Sequence, residues 1–313
     1  MIHVRSLNEL KPDRPSLLTV GSFDGVHLGH QSLIRKLAAA AHAQNYRAAV
    51  VTFHPHPGLV LRGYRPSFYL SSPDDKAQRL ADLGADIVVT HPFNRDVANL
   101  TAAQFIDGLR AALDFRELWC GADFALGHNR EGTVAWLQAY GRSAGFTVKV
   151  IDPVSLNDKV ISSSRIRQAL NEGNVGEAAA CLGRPFQVTG PVVEGAKRGR
   201  TIGIPTANIR IGDDQAYPAN GVYACRAWIA GEAADAVANI GVRPTFESSE
   251  ARPTIEAHLL NFDRDLYGLS LTLDFIARLR PEQKFNGVQE LIAQIQKDIA
   301  QARDLLQKLE TGD

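Results

Sequence analysis

One segment near the N-terminus, Val20-Gly21-Ser22-Phe23-Asp24-Gly25-Val26-His27-Leu28-Gly29-His30, marks the passage from a strand into a helix. The apolar run at 17–20 predicts a buried strand, which is interrupted at Gly21. After Gly29 the apolar residues of 31–37 recur at helical spacing. The segment therefore predicts a strand, a tight turn and a helix, which is the repeating unit of a parallel sheet.

Two histidines, His27 and His30, lie three residues apart where this helix begins. A helix N-terminus offers unpaired N–H groups and a partial positive charge, and both favour a phosphate group. Gly25 and Gly29 have no side chain, so a nucleotide can approach the backbone closely. Both imidazoles can then donate to the charge that develops when a triphosphate is attacked at its α-phosphorus. The flanking glycines and the preceding strand disfavour the alternative of two ordinary polar residues in a first helical turn.

The whole chain of 313 residues is long enough for two domains. Its 34 basic and 34 acidic residues give a formal net charge of zero, which argues against a general nucleic-acid or membrane-surface binder. Cys120, Cys181 and Cys225 are far apart and form no zinc or disulfide pattern, which favours a reducing cytoplasm. We expect no secretory signal and no membrane span, because no apolar run approaches the roughly 20 residues that a span needs.

Short apolar strands alternate with helical patterns through the first half of the chain. The strands are predicted at 17–20, 48–53, 86–90, 117–121 and 147–151. The helices between them are predicted around 31–37, 76–80, 103–106 and 134–137. This alternation predicts an α/β domain with a parallel sheet covered by helices on both faces. Ligands of such sheets bind beyond the carboxyl ends of the strands, which is where the two histidines lie.

The pattern changes near residue 183, after which strands dominate. They are predicted at 186–188, 221–226, 254–259 and 269–273. An amphipathic helix is predicted from Val288 through Leu305. We therefore expect domains at 1–182 and 183–313, the second being an antiparallel β-barrel with the terminal helix packed across it.

A glycine-rich basic loop lies in the second domain at 195–203. Its glycines Gly195, Gly199 and Gly203 are four residues apart, and Lys197, Arg198, Arg200 and Thr201 lie between them. Such a loop suits phosphate oxygens. It is not the P-loop pattern, which continues into a helix, because here Pro205 and an extended segment follow.

The extended run after this loop, Thr206-Ala207-Asn208, places Thr206 and Asn208 on the same side of the chain. A hydroxyl and an amide carbonyl are hard oxygen donors, which suit Mg²⁺ that shares phosphate oxygens, and Mn²⁺ can substitute. The alternative is an edge strand with two solvated polar residues. The basic loop before the run favours the metal.

Phosphoryl transfer to a hydroxyl would also need a group that accepts the proton. Thr254, Glu256 and His258 share one face of a predicted strand, and Glu256 is the candidate base. A polar stripe that faces solvent would have the same spacing. The spacing alone does not separate these two interpretations.

Short motifs in both halves resemble those of the bacterial bifunctional riboflavin kinase/FAD synthetase family. In the first half the motifs lie at 21–30, 93–98, 121–124 and 162–167. In the second half they lie at 199–208, 239–246, 265–268 and 280–285. Their joint occurrence in this order covers essentially the full chain. The resemblance implies a Rossmann-like nucleotidyltransferase domain followed by a riboflavin kinase barrel.

The resemblance implies two ATP-dependent steps on small molecules. Riboflavin would be phosphorylated to FMN in the barrel, and FMN would be adenylylated to FAD in the N-terminal domain with release of pyrophosphate. We expect a cytoplasmic enzyme without a nucleic-acid or membrane partner, and the prediction leaves room for a homo-oligomer. The loop at 53–57 is expected to border the flavin, with its histidines outside the catalytic set.

The resemblance also implies roles for individual residues. Thr206 and Asn208 would hold Mg²⁺, Glu256 would be the base of the kinase step, and His27 and His30 would be catalytic in the adenylylation. The nucleotide-binding residues of the first domain would be Gly21, Phe23, Asp24, Gly29, Asp123, Ser163, Ser164 and Arg167. Those of the second domain would be Gly195, Lys197, Gly199, Arg200 and Thr201.

Two other functions compete with this one. A nucleotidyltransferase for a nicotinamide mononucleotide or pantetheine substrate would explain the first motif, but an accessory barrel would not need Thr206 and Asn208 behind a basic loop. A flavin-binding sensor that had kept the fold would not need His27, His30 and Glu256 together.

Overall fold

The computed structural model of the chain consists of two compact units, Met1–Ser163 and Ser164–Asp313. It describes residues 1–11, 13–63, 67–195, 199, 203–243, 252–262 and 264–311. None of the helices within these ranges combines the length and the apolar composition that a membrane span requires. The three cysteines are buried and unpaired.

A six-stranded, fully parallel sheet forms the centre of the first unit, in the order β1-β4-β3-β2-β5-β8. Its strands are β1 (Ile2–Val4), β2 (Ser16–Val20), β3 (Arg47–His54), β4 (Ile87–Pro92), β5 (Phe115–Gly121) and β8 (Thr147–Ile151). Two hairpins accompany the sheet, β6 (Ala125–Leu126) with β7 (Gly132–Thr133), and β9 (Ser155–Leu156) with β10 (Lys159–Val160). The predicted parallel sheet is confirmed, whereas the edge strand β1 was not predicted.

Helices cover both faces of this sheet, as predicted. They are α1 (Leu28–Ala43), α2 (Pro57–Arg62), α3 (Pro73–Asp82), α4 (Arg95–Asn99), α5 (Ala102–Leu113) and α6 (Val134–Ala144). Ile34 of α1 and Leu80 of α3 belong to the core on one face. Ile106 of α5 and Leu137 of α6 belong to the core on the other. The central strands are buried on both sides, which explains their continuous apolar runs.

The second unit is a closed antiparallel barrel with strand order β11-β12-β15-β14-β13-β16. The strands are β11 (Phe186–Val193), β12 (Ala207–Ile209), β13 (Gly221–Ile229), β14 (Glu232–Arg243), β15 (Arg252–Leu259) and β16 (Ser270–Arg280). Two helices precede the barrel, α7 (Ser163–Asn171) and α8 (Val175–Leu182). Helix α8 contacts β11 and β16, so it belongs with the barrel in the second unit. The compact units therefore divide after Ser163. The domain boundary at 182/183 stays a prediction.

The terminal helix α9 (Val288–Thr311) packs across the barrel, as predicted. Its buried residues Ala302 and Leu306 contact the apolar outer face of β13 and β14. The carboxylate of Asp298 is only 2 % exposed and accepts hydrogen bonds from Arg280 of β16 at 2.8 and 3.0 Å. Charge-assisted pairs of this kind fix geometry as well as adding energy, so the helix has one defined position on the barrel.

Candidate active sites

The turn between β2 and α1 has an unusual backbone. Phe23, Gly25 and Val26 have φ angles of 47°, 78° and 44°, all in the left-handed region. For a β-branched residue such as valine this conformation is strained, and it persists only where the surroundings enforce it. The buried carboxylate of Asp24 supplies such support, since it accepts from the N–H of Leu70 at 3.1 Å.

This turn makes His27 the N-cap of α1. Its Nδ1 atom accepts the backbone N–H of His30 at 3.4 Å, which leaves the ring proton on Nε2. The two imidazole rings stack, with centroids 3.6 Å apart and planes 18° apart, and Phe23 meets His30 edge-on at 5.1 Å. Gly29 leaves room for this stack, because a Cβ there would approach the His27 ring to 3.2 Å.

Both imidazoles are uncharged at neutral pH. Burial lowers the pKa of His27 to about 4. Burial also holds the pKa of His30 well below its usual value, and electrostatic interaction with the neighbouring titratable groups of His27 and Lys76 lowers it further. In the described part of the chain the buried Nδ1 of His30 has no hydrogen-bond partner. The start of the helix therefore holds a stacked pair of buried, neutral rings with one unsatisfied nitrogen, and neither ring is among the residues that line the large cavity beside it.

Acidification is expected to destabilise the first unit between about pH 6.5 and pH 4. The unfolded chain binds a proton at the ordinary histidine pKa of 6.5, whereas folded His27 binds it only near 4. Because the unfolded state holds more protons in this window, lowering the pH reduces the free energy of unfolding, by about 3 kcal/mol from His27. Denaturant unfolding at a series of pH values measures this loss.

The matched variant for this measurement is His27→Asn, which keeps a good N-cap acceptor but does not titrate. Both proteins carry Trp228→Phe, so that tryptophan fluorescence comes from Trp119 and Trp136 of the first unit alone. The pH dependence of the variant should be flatter between pH 6.5 and 4. An equally steep dependence would show that His27 is not the titrating group.

A buried lysine that sequence reasoning did not single out lies beside this turn. Lys76 of α3 is only 4 % exposed, and its Nζ donates to the carbonyl oxygens of Ser22 at 3.0 Å and Phe53 at 3.4 Å. Burial lowers its pKa to about 8, although the nearby Asp24 carboxylate opposes the shift. A positive charge is therefore present inside the protein next to the histidine pair.

A cavity of about 730 Å³ opens at the carboxyl ends of the strands. Gly21 and Asp123, two of the predicted nucleotide-binding residues, line it, and so does His56 of the predicted flavin loop. The cavity is rich in aromatic and cationic side chains, namely Phe53, Phe93, Phe105, Phe124, Arg62, Arg95 and Arg130. Its size is typical of a site for a small organic ligand.

The β6–β7 hairpin forms one wall of this cavity and is fixed to the start of α5. Glu131 accepts the backbone N–H of Ala102 at 2.7 Å. Gly127 and Gly132 pack against Ala102 so closely that a Cβ on either glycine would lie within 2.7 Å of it. These contacts were not predicted, because they join segments whose proximity depends on the fold.

The remaining predicted residues of the first site are distributed as follows. Ser163 donates its hydroxyl to the carbonyl oxygen of Asp24 at 2.9 Å, so it supports the strained turn. Ser164 and Arg167 lie on α7 within the second unit, and their contact with ATP phosphates stays a prediction. The neighbouring Arg165 forms an ion pair with Glu177.

In the barrel, three polar residues lie side by side on adjacent strands. Asn208 of β12 is the register partner of Glu256 on β15, and Glu256 is in turn the partner of Asn239 on β14. The alternate residues Ala207 and Ile255 are buried, so the polar row occupies the opposite face. The structure thus brings together two predicted residues and adds Asn239, to which sequence reasoning assigned no role.

Two glycines of the basic loop lie directly against the predicted metal donors. A Cβ at Gly195 would collide with the side-chain amide of Asn208. One at Gly199 would collide with the carbonyl of Ile204 and lie 3.5 Å from the Thr206 hydroxyl. Thr206 also lines a cavity of about 350 Å³. The predicted residues Lys197, Arg200 and Thr201 lie outside the described residues.

Two units of different fold, each matched by a family model of its own, define a two-domain transferase. A family model for FAD synthetase matches residues 9–165, and one for riboflavin kinase matches residues 182–306. The chain is 39% identical over 299 residues to a bifunctional riboflavin kinase/FMN adenylyltransferase of Listeria monocytogenes, covering 95% of both chains. It is 39% identical over 290 residues to the Bacillus subtilis protein of the same name, covering 92% of this chain and 91% of that one. The chain belongs to the family of bifunctional riboflavin kinase/FMN adenylyltransferases.

A solved structure with the same architecture comes from Streptococcus pneumoniae. Its TM-score is 0.88 at 32% sequence identity, and the match covers 96% of this chain and 98% of that one. That protein is described as a macrolide-efflux protein. The match confirms the predicted combination of a parallel α/β sheet with an antiparallel barrel.

Proposed function

We propose that this chain makes FAD from riboflavin in two consecutive ATP-dependent steps, each carried out by one unit. The barrel unit phosphorylates riboflavin, and the parallel-sheet unit adenylylates the resulting FMN. The observation that carries the proposal is the pairing of Asn208 with Glu256 in one unit of a chain whose other unit has the stacked pair of His27 and His30. Each pair provides the groups that its own transfer requires.

In the adenylylation, a phosphate oxygen of FMN attacks the α-phosphorus of ATP, and the bond to the β-phosphate oxygen breaks to release pyrophosphate. Negative charge develops on the oxygens around the α-phosphorus. The Nε2–H of His27 and a ring N–H of His30 donate to these oxygens at the positive end of α1. The stack and the helix cap hold both rings before ATP arrives, so little reorganisation is needed.

The flavin of this step is assigned to the cavity of about 730 Å³. Aromatic side chains can contact a flat ring system, and arginines can bind the phosphate of FMN. Asp123 and Gly21, two of the predicted nucleotide-binding residues, also line this cavity. The predicted position of the loop at 53–57 beside the flavin agrees with this assignment, since Phe53 and His56 line the same cavity.

In the kinase step, the terminal hydroxyl of the riboflavin side chain attacks the γ-phosphorus of ATP, and ADP leaves. Glu256 accepts the proton of that hydroxyl. Its position between two asparagines supports this role, because their amide groups can orient the carboxylate and the incoming hydroxyl. The basic loop at 195–203 binds the phosphate oxygens of ATP.

The residues around Asn208 fit Mg²⁺. The amide oxygen of Asn208 and the hydroxyl of Thr206 are hard, neutral donors that would hold the ion, which would also bind water and phosphate oxygens. Gly195 leaves room for the amide itself, since a Cβ there would collide with it. Bound in this way, the ion would neutralise charge on the β- and γ-phosphates.

The decisive experiment incubates the purified protein with riboflavin and Mg-ATP and follows the products by chromatography. FMN should appear first and FAD afterwards. A nucleotidyltransferase of another kind would instead join AMP to nicotinamide mononucleotide or a pantetheine phosphate. A flavin sensor would bind riboflavin without turning it over. The three unpaired, buried cysteines suit a cytoplasmic enzyme, which is the compartment we propose.

Gly195→Ala is expected to impair the kinase step while the fold is kept. The added Cβ collides with the end of the Asn208 side chain, so the amide must move from its present position. We expect about a tenfold loss of FMN formation, because a small displacement of a positioning group is costly. The concentration of Mg²⁺ that gives half-maximal FMN formation should rise.

Gly287→Ala is the matched control, because a Cβ at Gly287 meets no atom within 4 Å. Adenylylation of supplied FMN should be unchanged in both variants. An unchanged Mg²⁺ requirement in Gly195→Ala would remove Asn208 from the proposed metal site.

A further inference from the structure

The buried lysine beside the first site has no place in the mechanism described so far. Lys76 is almost fully buried on α3, and within the described residues its hydrogen-bond partners are backbone carbonyls rather than a carboxylate. Burying a cation is expensive unless it is paired or well hydrogen-bonded. A buried lysine of this kind indicates that the site depends on its positive charge or on its hydrogen bonds.

The two carbonyls that Lys76 binds belong to the ends of neighbouring strands. Ser22 follows β2 and begins the turn that carries the histidine pair, and Phe53 lies near the end of β3. The Ser22 carbonyl accepts a second hydrogen bond, from the hydroxyl of Thr52 at 2.9 Å. Both Ser22 and Phe53 also line the large cavity.

We propose that Lys76 is a positioning residue of the FMN adenylylation site, whose buried ammonium ties the ends of β2 and β3 together beneath the turn that carries His27 and His30. This inference rests on the proposed function of the first unit. Through Ser22 the tether fixes the start of the turn, and through Phe53 it fixes the adjoining wall of the cavity. The distance between the turn, which would bind the nucleotide, and the cavity wall, which would contact the flavin, is thereby fixed.

The ammonium also acts on the histidine pair through its charge. The titratable groups that act on His30 are His27 in the same turn and Lys76 on α3, while Asp24 acts on Lys76. Loss of the Lys76 charge should raise the pKa of His30, because one of the groups that disfavour its protonation is gone. A residue that only filled space would not move this pKa.

The test compares Lys76→Met with Lys76→Arg in the full-length protein, with FMN and Mg-ATP as substrates. Lys76→Met should lower kcat/KM for FAD formation by up to about 10²-fold, the scale of a small misplacement of reacting groups. The acid limb of its pH profile should shift to higher pH. Lys76→Arg keeps a cation and should recover much of the activity without a shift.

Three further measurements keep the result interpretable. Riboflavin kinase activity of the second unit should stay at the wild-type level in every variant. Lys36→Met, on the exposed side of α1, should leave FAD formation unchanged. Thr52→Val removes the other donor to Ser22 but keeps the charge, so it should reduce the rate without shifting the acid limb.

The outcomes separate the two proposals. Wild-type rates in Lys76→Met would overturn the role of Lys76. So would a loss that Lys76→Arg does not restore and that leaves the acid limb in place, because this would describe a purely structural residue. Failure of the wild-type protein to convert FMN to FAD would instead overturn the proposed function of the first unit.

Discussion

Replacing Glu256 by glutamine is expected to lower FMN formation about 10²- to 10⁴-fold, the usual range for loss of a general base. The amide keeps the size of the side chain but cannot accept the proton of the attacking hydroxyl. Glu256 faces Asn208 and Asn239 on adjacent strands, so the substitution changes the chemistry of that row and leaves the barrel core intact. The rate of FMN formation from riboflavin and Mg-ATP measures the effect.

The same variant should convert supplied FMN to FAD at the wild-type rate, because its first unit is unchanged. Asp304→Asn, an exposed carboxylate on α9, serves as the matched control and should affect neither step. If Glu256 were part of a solvated polar stripe, glutamine would be harmless. An equal loss of both steps in a folded protein would contradict the division of labour between the units.

His30→Ala should have the opposite pattern. We expect FAD formation to fall about 10²- to 10³-fold, which is the cost of removing one preorganised donor to a developing oxyanion. The variant also removes one ring of the stack and the edge contact with Phe23, but it keeps the backbone N–H that His27 caps. Riboflavin supplied with Mg-ATP should therefore accumulate as FMN.

His42→Ala is the control for this variant, since His42 lies in the last turn of the same helix and contacts Asp86 on the surface. It should make FAD normally. Normal FAD formation by His30→Ala in the presence of excess FMN would remove the histidine pair from the adenylylation chemistry.

Much of the fold could be predicted from local patterns in the sequence. The strand, turn and helix around Gly21 were predicted because hydrophobic period and glycine position agree there. Strand β14 was not predicted, because alanines occupy its alternate positions and alanine is a weak strand former. Ala236 and Ala238 are nonetheless fully buried. These alanines fit the strand because of the neighbouring strands that pack around them, and a local sequence pattern does not show those neighbours.

The candidate sites show the same limit. His27, His30 and Asn208 were predicted because each belongs to a short motif with recognisable chemistry, whereas Glu256 was selected as the base only through the family resemblance. Lys76 was placed only within a predicted helix, where a lysine next to acidic residues suggests a solvated surface. Its burial results from the packing of α3 against the strained turn and the ends of two strands. The burial of Lys76 depends on contacts between segments far apart in sequence, and local sequence patterns do not reveal such contacts.

The closed barrel has a consequence for how this protein can change. Side chains on a strand alternate between two faces, so deleting one residue from β12 would turn Asn208 toward the interior and bring a small apolar neighbour into its place. A barrel has no free edge at which a slipped strand could settle. Length changes should therefore collect in the connecting loops, and variation along β12 should consist of exchanges of one amino acid for another.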